Sequence, residues 1–205
     1  MPRLRIHFLA VFAAIICSVS WSQITPKREQ QLLEDYDSFL KRLDPKRIAA
    51  DYALPVRDVQ SKDCAHQERG VRVLGTSGEV DAIPWIVPLL DSACVYGRVY
   101  AGWALQEIIS KNELLRRDPS HLDTVRLLPR SPNDIDLRPL AWLILQMMRA
   151  PDDGNTASYA ATMAGYLELR EFLPELKLLL KSRHPAVTNS AIYALELIER
   201  DGRVR

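Results

Sequence analysis

Two stretches of the sequence repeat one pattern, and this internal repeat restricts the folds that the chain can adopt. Residues 164–198 align without a gap with residues 74–108, at an offset of 90 positions. The identical residues are small, apolar or turn-forming, whereas the polar residues between them differ, which is typical of a structural repeat. The identities are Gly75/Gly165, Pro84/Pro174, Leu89/Leu179, Leu90/Leu180, Ser92/Ser182, Ala101/Ala191, Ala104/Ala194, Leu105/Leu195 and Ile108/Ile198.

Apolar residues in and around these stretches recur at helical spacing, so each unit is expected to be a pair of helices. Residues 65–74 read as the second helix of a degenerate first unit, with a helix at 45–53 as its partner. The clear pairs are expected at 79–91 with 96–110, at 139–149 with 156–166, and at 169–181 with 185–200.

The repeated pattern resembles HEAT and HEAT-like (phycobilin-lyase-type) repeats, over residues 65–110 and 137–200. The resemblance implies an all-α fold, in which helix pairs stack into a right-handed α-α superhelix, here a short solenoid of about 8–9 helices. Repeats of this kind fix an architecture and leave the ligand open.

Two helix-start signals precede the repeats. Thr25-Pro26 and Asp44-Pro45 each combine a capping side chain with proline at the first helical position. We expect an amphipathic helix after the first signal and a shorter helix after the second, ended by Pro55. A polar connection is expected over 55–63.

Residues 1–22 have the composition of a secretory signal peptide. Two arginines near the start precede the apolar run Ile6–Val19, and Ser20 and Ser22 end two possible cleavage motifs. The apolar run of about 14 residues is short of the roughly 20 that a spanning helix needs, so we expect no stable membrane anchor after cleavage. The protein is therefore predicted to be secreted or periplasmic in a bacterium.

We divide the mature chain into two parts. Residues 23–63 are expected to form N-terminal helices that act as a cap, and residues 64–205 to form the repeat domain. A charged, proline-containing insertion at 111–136 interrupts the repeats. We expect it to be a surface loop with one short helix at 119–128.

Export changes how charge and cysteines are interpreted. Loss of Arg3 and Arg5 changes the formal net charge from +1 to −1. A nearly neutral chain gives no sign of the basic surface that binds nucleic acid. The mature chain keeps Cys64 and Cys94, and two cysteines in an oxidising compartment favour a disulfide. In a solenoid both would lie at turns along one edge, so we expect a Cys64–Cys94 bond; the alternative is two free thiols.

No catalytic constellation is evident. His66, His121 and His184 are the histidines beyond the leader, and they fall in separate parts of the chain. No zinc-protease histidine pair, Gly-x-Ser-x-Gly elbow or P-loop occurs, nor the His-Glu pairs of the HEAT-repeat di-iron hydroxylases. We expect no catalytic residues, no metal site and no cofactor, and therefore a protein that is not an enzyme.

The three clear second helices share an Ala-x-aromatic-Ala motif, whose aromatic members are Trp103, Tyr159 and Tyr193. The alanines belong to the packing face of each helix, and the aromatic residue points about 150° away from that face. We expect a row of rings on the concave surface, about 10 Å per step. The alternative is that each ring fills the crevice between units. Polar rim positions are Glu107, Asn189 and Glu196.

These features predict an exported HEAT-repeat scaffold or adaptor that binds a protein or peptide partner on its concave face. Exposed aromatic side chains are large, rigid and favoured at interfaces. The alternatives are a carbohydrate-binding module, a lyase-like enzyme or its accessory subunit, and a structural domain without a partner.

Overall fold

The computed structural model describes residues 24–117, 135–150 and 154–203, and within these ranges every regular element is helical. The predicted all-α class is therefore confirmed. The predicted leader lies outside the described residues, as do most of the insertion and its expected helix at 119–128. The described α-helices are α1 (Pro26–Leu40), α2 (Pro45–Asp51), α3 (Ala53–Val59), α4 (Cys64–Ser77), α5 (Ile83–Ile86), α6 (Val95–Arg117), α7 (Ala141–Arg149), α8 (Gly154–Tyr166), α9 (Leu173–Leu179) and α10 (Pro185–Arg203).

Helices α4, α6, α8 and α10 stack side by side in chain order and form the second-helix layer. Small residues allow their backbones to approach closely. A Cβ atom added to Gly75 of α4 would lie 2.6 Å from the Cβ of Ala104 on α6. The same contact recurs one repeat later, where a Cβ on Gly165 of α8 would lie 2.7 Å from the Cα of Ala194 on α10.

The first-helix layer covers the apolar side of these helices and consists of segments 80–91, 138–149 and 170–179. Fully buried side chains such as Ile86, Ile108 and Phe172 lie in the core that joins the two layers. The segment expected as one α-helix at 79–91 is α5 flanked by two 3₁₀ turns. Pro84 and Pro88 explain the irregularity, because neither has the amide hydrogen that a continuous α-helical ladder requires.

The repeat is visible in individual hydrogen bonds. Gly78 and Glu168, 90 positions apart, both have a left-handed backbone, with φ of 74° and 53°. The units are therefore built alike at atomic detail, while the HEAT-like assignment and the superhelical path stay predictions. The equivalent bonds are Gly78 N to Gly75 O and Glu168 N to Gly165 O, Cys94 N to Ser92 Oγ and His184 N to Ser182 Oγ, and Ser92 N to Leu89 O and Ser182 N to Leu179 O.

Residues 53–59 are helical, so the prediction that Pro55 ends a helix and begins a polar connection is wrong. Pro55 is the third residue of α3, where a backbone N–H has no partner within the helix and its absence costs little. Gly70 lies against this helix, since a Cβ there would be 2.6 Å from Pro55 O. The helix α3, not the expected 45–53 helix, is therefore the helix that pairs with α4 in the first unit. Asp58, buried in α3, accepts two hydrogen bonds from Arg69, which lowers its pKa.

The predicted disulfide between Cys64 and Cys94 is confirmed, with a Cα–Cα distance of 5.5 Å. Cys64 is the first residue of α4, and Cys94 immediately precedes α6. Both cysteines lie at helix starts in the second-helix layer, in agreement with the positions expected from the spacing of the helix pairs. The helix α6 runs on to Arg117, so the start of the expected insertion at 111 is still helical.

Residues 24–51, called here the N-terminal strap, lie over the first-helix layer. The strap comprises α1, α2 and the turn between them, and it crosses the units in reverse order. Its start bonds the last unit through Arg28 and Glu171, whose closest approach is 2.6 Å. Farther along α1, the Tyr36 ring packs 5.2 Å from the Trp142 ring of the central unit, centroid to centroid.

The end of the strap bonds the unit that begins at residue 80. The guanidinium of Arg47 on α2 donates to Glu79 at 2.6 Å and to Asp81 at 2.9 Å. Asp81 also accepts from the backbone N–H of Asp44, and Trp85 Nε1 donates to Pro45 O at 3.0 Å. Both carboxylates are buried, so this anchor is a polar cluster removed from solvent.

Candidate functional site

The aromatic residue of each second helix lies at the junction with the helix before it. Trp103 on α6 is half-buried, and its Cζ3 lies 3.2 Å from the position of a Cβ added to Gly75 on α4. Tyr159 on α8 is also half-buried, and its Cδ2 would lie 2.9 Å from a Cβ on Gly102 of α6. Each glycine therefore opens a crevice that a ring of the next helix enters, leaving part of that ring accessible.

Tyr193 is the most exposed of the three rings, with 42% of its surface accessible. Its ring meets that of Tyr166 on α8 edge to face, at a centroid distance of 6.1 Å. This geometry is favourable for aromatic pairs and orients Tyr193 without burying it. A preformed, partly exposed aromatic side chain has few conformations to lose on contact with a partner.

The polar positions that were predicted as a rim are accessible to solvent. Asn189 and Glu196 are exposed on α10, four residues before and three residues after Tyr193. Glu107 is half-buried on α6 and lies 3.7 Å from Lys111 Nζ, one helical turn later. The predicted rim residues therefore flank the rings on α6 and α10, although Glu107 is already paired within its own helix.

Two further tyrosines on α6 extend the aromatic surface, and the sequence analysis missed them. Tyr96 is 64% exposed, and Tyr100 meets Trp103 edge to face at a centroid distance of 6.2 Å. The guanidinium carbon of Arg72 on α4 lies 5.3 Å from the centre of the Tyr100 ring, within cation–π range. A signal was available, because positions 96, 100, 103 and 107 are spaced as one helix face.

These residues together define what we call the aromatic row. It runs across α6, α8 and α10 and contains five of the seven tyrosines in the chain. The surface is apolar and ring-rich at its centre, and charged groups of both signs flank it. Accessible rings surrounded by charged groups are typical of surfaces that contact a partner. Its members are Tyr96, Tyr100, Trp103, Tyr159, Tyr166 and Tyr193.

A cleft lies on the other side of the molecule, between the strap and the first-helix layer. This open cleft has a volume of about 460 Å³ and is lined in part by Leu32, Pro139 and Arg170. Two arginines in its wall are already engaged, since Arg28 bonds Glu171 and Arg138 bonds Asp136. The cleft is therefore less suited to a charged ligand than the number of charged residues in its lining suggests.

Across 24–117, 135–150 and 154–203, no group of three or more His, Cys, Asp or Glu side chains is arranged to hold a metal ion. Among the helices in these ranges, none is both long and apolar enough to cross a membrane.

Comparisons of the sequence with protein families and curated proteins assign no family to the chain. No protein-family model matches the sequence, and a comparison with curated proteins found no significant match.

Proposed function

We propose that the protein is an exported helical-repeat scaffold or adaptor that binds a protein or peptide partner along the aromatic row. Export is part of the proposal, and it is supported by the leader-like sequence of residues 1–22 and by the Cys64–Cys94 pair, since disulfides persist in oxidising compartments. HEAT-like repeats commonly present an extended surface formed by successive units, which suits such a role.

The observation that carries the proposal is the exposure at both ends of the aromatic row. Tyr96 and Tyr193 are 64% and 42% accessible, and half-buried rings lie between them in the crevices of the layer. Tyrosine and tryptophan bury a large area with few rotatable bonds, so they bind partners at low entropic cost. The rigid stack of α4, α6, α8 and α10 holds these rings at fixed separations.

Affinity capture tests the proposal, with the mature chain 23–205 as bait and its own extracytoplasmic extract as the source. The test variant is Tyr96→Ser/Tyr193→Ser, which changes exposed rings and leaves the crevice-filling Trp103 and Tyr159 in place. The matched control is Leu54→Ser/Leu178→Ser, because these leucines are similarly exposed, at 52% and 46%, and lie on α3 and α9. Circular dichroism confirms that all three proteins are folded.

We expect the parent and the leucine control to capture the same partner and the tyrosine variant to capture much less of it. With the purified partner, the affinity of the tyrosine variant should be at least tenfold lower than that of the parent. A loss of about 1.4 kcal/mol corresponds to that tenfold change. Equal capture by all three proteins would refute binding along the aromatic row. Quenching of tryptophan fluorescence by soluble glycans would instead support a carbohydrate-binding module, and visible absorbance of the purified protein would support the lyase-like alternative.

A further inference from the structure

Each second helix has a forward face, which we define as the side that packs against the next second helix along the chain. On α6 this face contains Gly102, where an added Cβ would lie 2.9 Å from Tyr159 Cδ2 of α8. On α8 it contains Ser158, whose Oγ lies 2.8 Å from Ser190 Oγ of α10. Gly102 and Ser158 both occupy the x position of the Ala-x-aromatic-Ala motif. On these two helices the forward face is therefore small at this position and covered by the next helix.

The forward face of α10 differs, because α10 is the last second helix among the described residues. Its x position is Ile192, a branched apolar residue that is 45% exposed. Leu195, three residues later on the same face, is half-buried, whereas its equivalent Leu105 on α6 is 1% exposed. The end of a repeat array usually has a polar outer face. Apolar residues at the centre of this end therefore indicate a surface that makes a contact.

The other end of the second-helix layer is partly covered within the chain. Gly75 faces α6, and Gly70 lies about 140° around α4 from it, at 100° per residue. Helix α3 lies against Gly70, where an added Cβ would be 2.8 Å from Asp58 Cβ. A second copy stacked head to tail would therefore meet α3 rather than an open face of α4. A contact through α10 is expected to join two like faces instead.

The charges along α10 make its forward face complementary to itself in an antiparallel pair. Pro185 and Glu199 lie seven residues before and after Ile192, on the same side of the helix and about 10.5 Å from it. The helix start at Pro185 carries the positive end of the helix dipole and follows the exposed side chains of Lys181 and Arg183. Glu199 is an exposed carboxylate near the other end. A parallel pair would bring two Glu199 side chains together, whereas an antiparallel pair places each beside the basic helix start of the other copy.

We propose that the forward face of α10 binds a second copy of this chain, and that the two copies form a symmetric dimer with Ile192 at the two-fold axis. Ile192 and Leu195 supply the apolar centre of the interface, and the charged ends of α10 set its antiparallel register. The axis is perpendicular to α10 and lies in the interface, so the two second-helix layers join side by side. Their aromatic rows then face the same direction and form one surface of twice the length.

Sedimentation velocity of the purified protein tests the inference, with the full chain expressed in an exporting host and the disulfide intact. The test variant is Ile192→Asp. Val73→Asp is the matched control, because Val73 is also branched and is 42% exposed on α4, at the other end of the layer. Circular dichroism confirms that both variants are folded.

We expect the parent to dimerise with a Kd of about 1–100 µM, because an interface made by one helix pair is small. Ile192→Asp should raise this Kd at least tenfold, and Val73→Asp by less than about threefold, since only the first places a charge at the apolar centre of the interface. A parent that stays monomeric over this concentration range, or that Ile192→Asp leaves equally associated, would overturn the inference. Equal weakening by both substitutions, or growth beyond the dimer, would indicate head-to-tail stacking and would overturn it as well.

Cysteine substitution tests the position of the axis. A residue at a two-fold axis meets its own counterpart, and a disulfide needs Cα atoms within about 7 Å of each other. We therefore expect Ile192→Cys to form a covalent dimer on mild oxidation, seen on a non-reducing gel, and Val73→Cys to remain monomeric on that gel. Equal cross-linking of both variants, or none of Ile192→Cys, would contradict the assigned axis.

The dimer and the proposed function can fail separately. Self-association is measured on the purified protein without any partner, so it does not depend on the capture experiment. A monomer could still bind a partner along a single aromatic row, and a dimer could form without one.

Discussion

The two anchors of the N-terminal strap predict losses of stability of very different size for the same substitution. The sequence Pro-Lys-Arg occurs at 26–28 and at 45–47, and each arginine bonds a carboxylate of one repeat unit. Arg28 and Glu171 have 43% and 33% of their side chains exposed, whereas Glu79 and Asp81 beside Arg47 have 5% and 1%. We therefore compare Arg28→Met with Arg47→Met. Methionine keeps most of the aliphatic part of the arginine side chain and removes its charge.

The expected magnitudes follow from burial. Arg47→Met leaves two buried carboxylates without their cation, and breaking a buried ion pair from one side costs about 3–5 kcal/mol. Arg28→Met removes an exposed pair, which is worth about 0–1 kcal/mol. For a domain of this size the corresponding falls in Tm are roughly 6–20 °C and less than about 4 °C.

Urea unfolding at neutral pH, followed by tryptophan fluorescence, measures both changes. Trp85 is a suitable reporter because its indole bonds Pro45 O at the second anchor. Adding Glu79→Gln and Asp81→Asn to Arg47→Met should restore at least half of the lost free energy of unfolding, because neutral side chains leave no unpaired charge in the protein interior. Equal costs for Arg28→Met and Arg47→Met would refute the reasoning from burial.

Three further predictions concern packing, the disulfide and pH. Replacing Cys64 and Cys94 with serine should lower the free energy of unfolding by about 3–4 kcal/mol, because the bond closes a loop of 30 residues; reduction of the parent should reproduce the loss in urea unfolding. Gly75→Ala should cost about 1–3 kcal/mol in the same assay, since the new Cβ would lie 2.7 Å from Ala104 Cα. Burial raises the pKa of Tyr36 from 10.0 to about 12, so the unfolded chain loses this proton first and stability should fall between those pH values; Tyr36→Phe should reduce that fall, measured against pH 9.

The stacked pairs and the disulfide could be predicted because both follow from periodicity. Apolar spacing defines which side of a helix is buried, and the register of the helix pairs places Cys64 and Cys94 at the starts of neighbouring second helices. Helix α3 was missed for a local reason. Pro55 reads as a helix stop in isolation, yet it is acceptable in a first turn, and the approach of Gly70 shows that α3 packs against α4.

The candidate site was predictable only in part. The helical wheel gives the direction of Trp103 and Tyr159, but the crevices they enter depend on Gly75 and Gly102 of neighbouring helices. A wheel describes one helix and contains no information about the next. The docking of the strap was missed as well, because charge pairs between distant segments have no period. The repeated Pro-Lys-Arg sequence was the available signal, and it was not used.

The strap also has a consequence for how such a chain can evolve. Its two arginine anchors are 19 residues apart in sequence and reach units separated by one intervening unit. Duplicating a helix pair would lengthen the stack by about 10 Å, which α1 could match only by gaining about seven residues at 1.5 Å each. Growth of the array and growth of α1 must therefore occur together. The strap therefore constrains the number of units, whereas a repeat array without such a connection can gain or lose units independently.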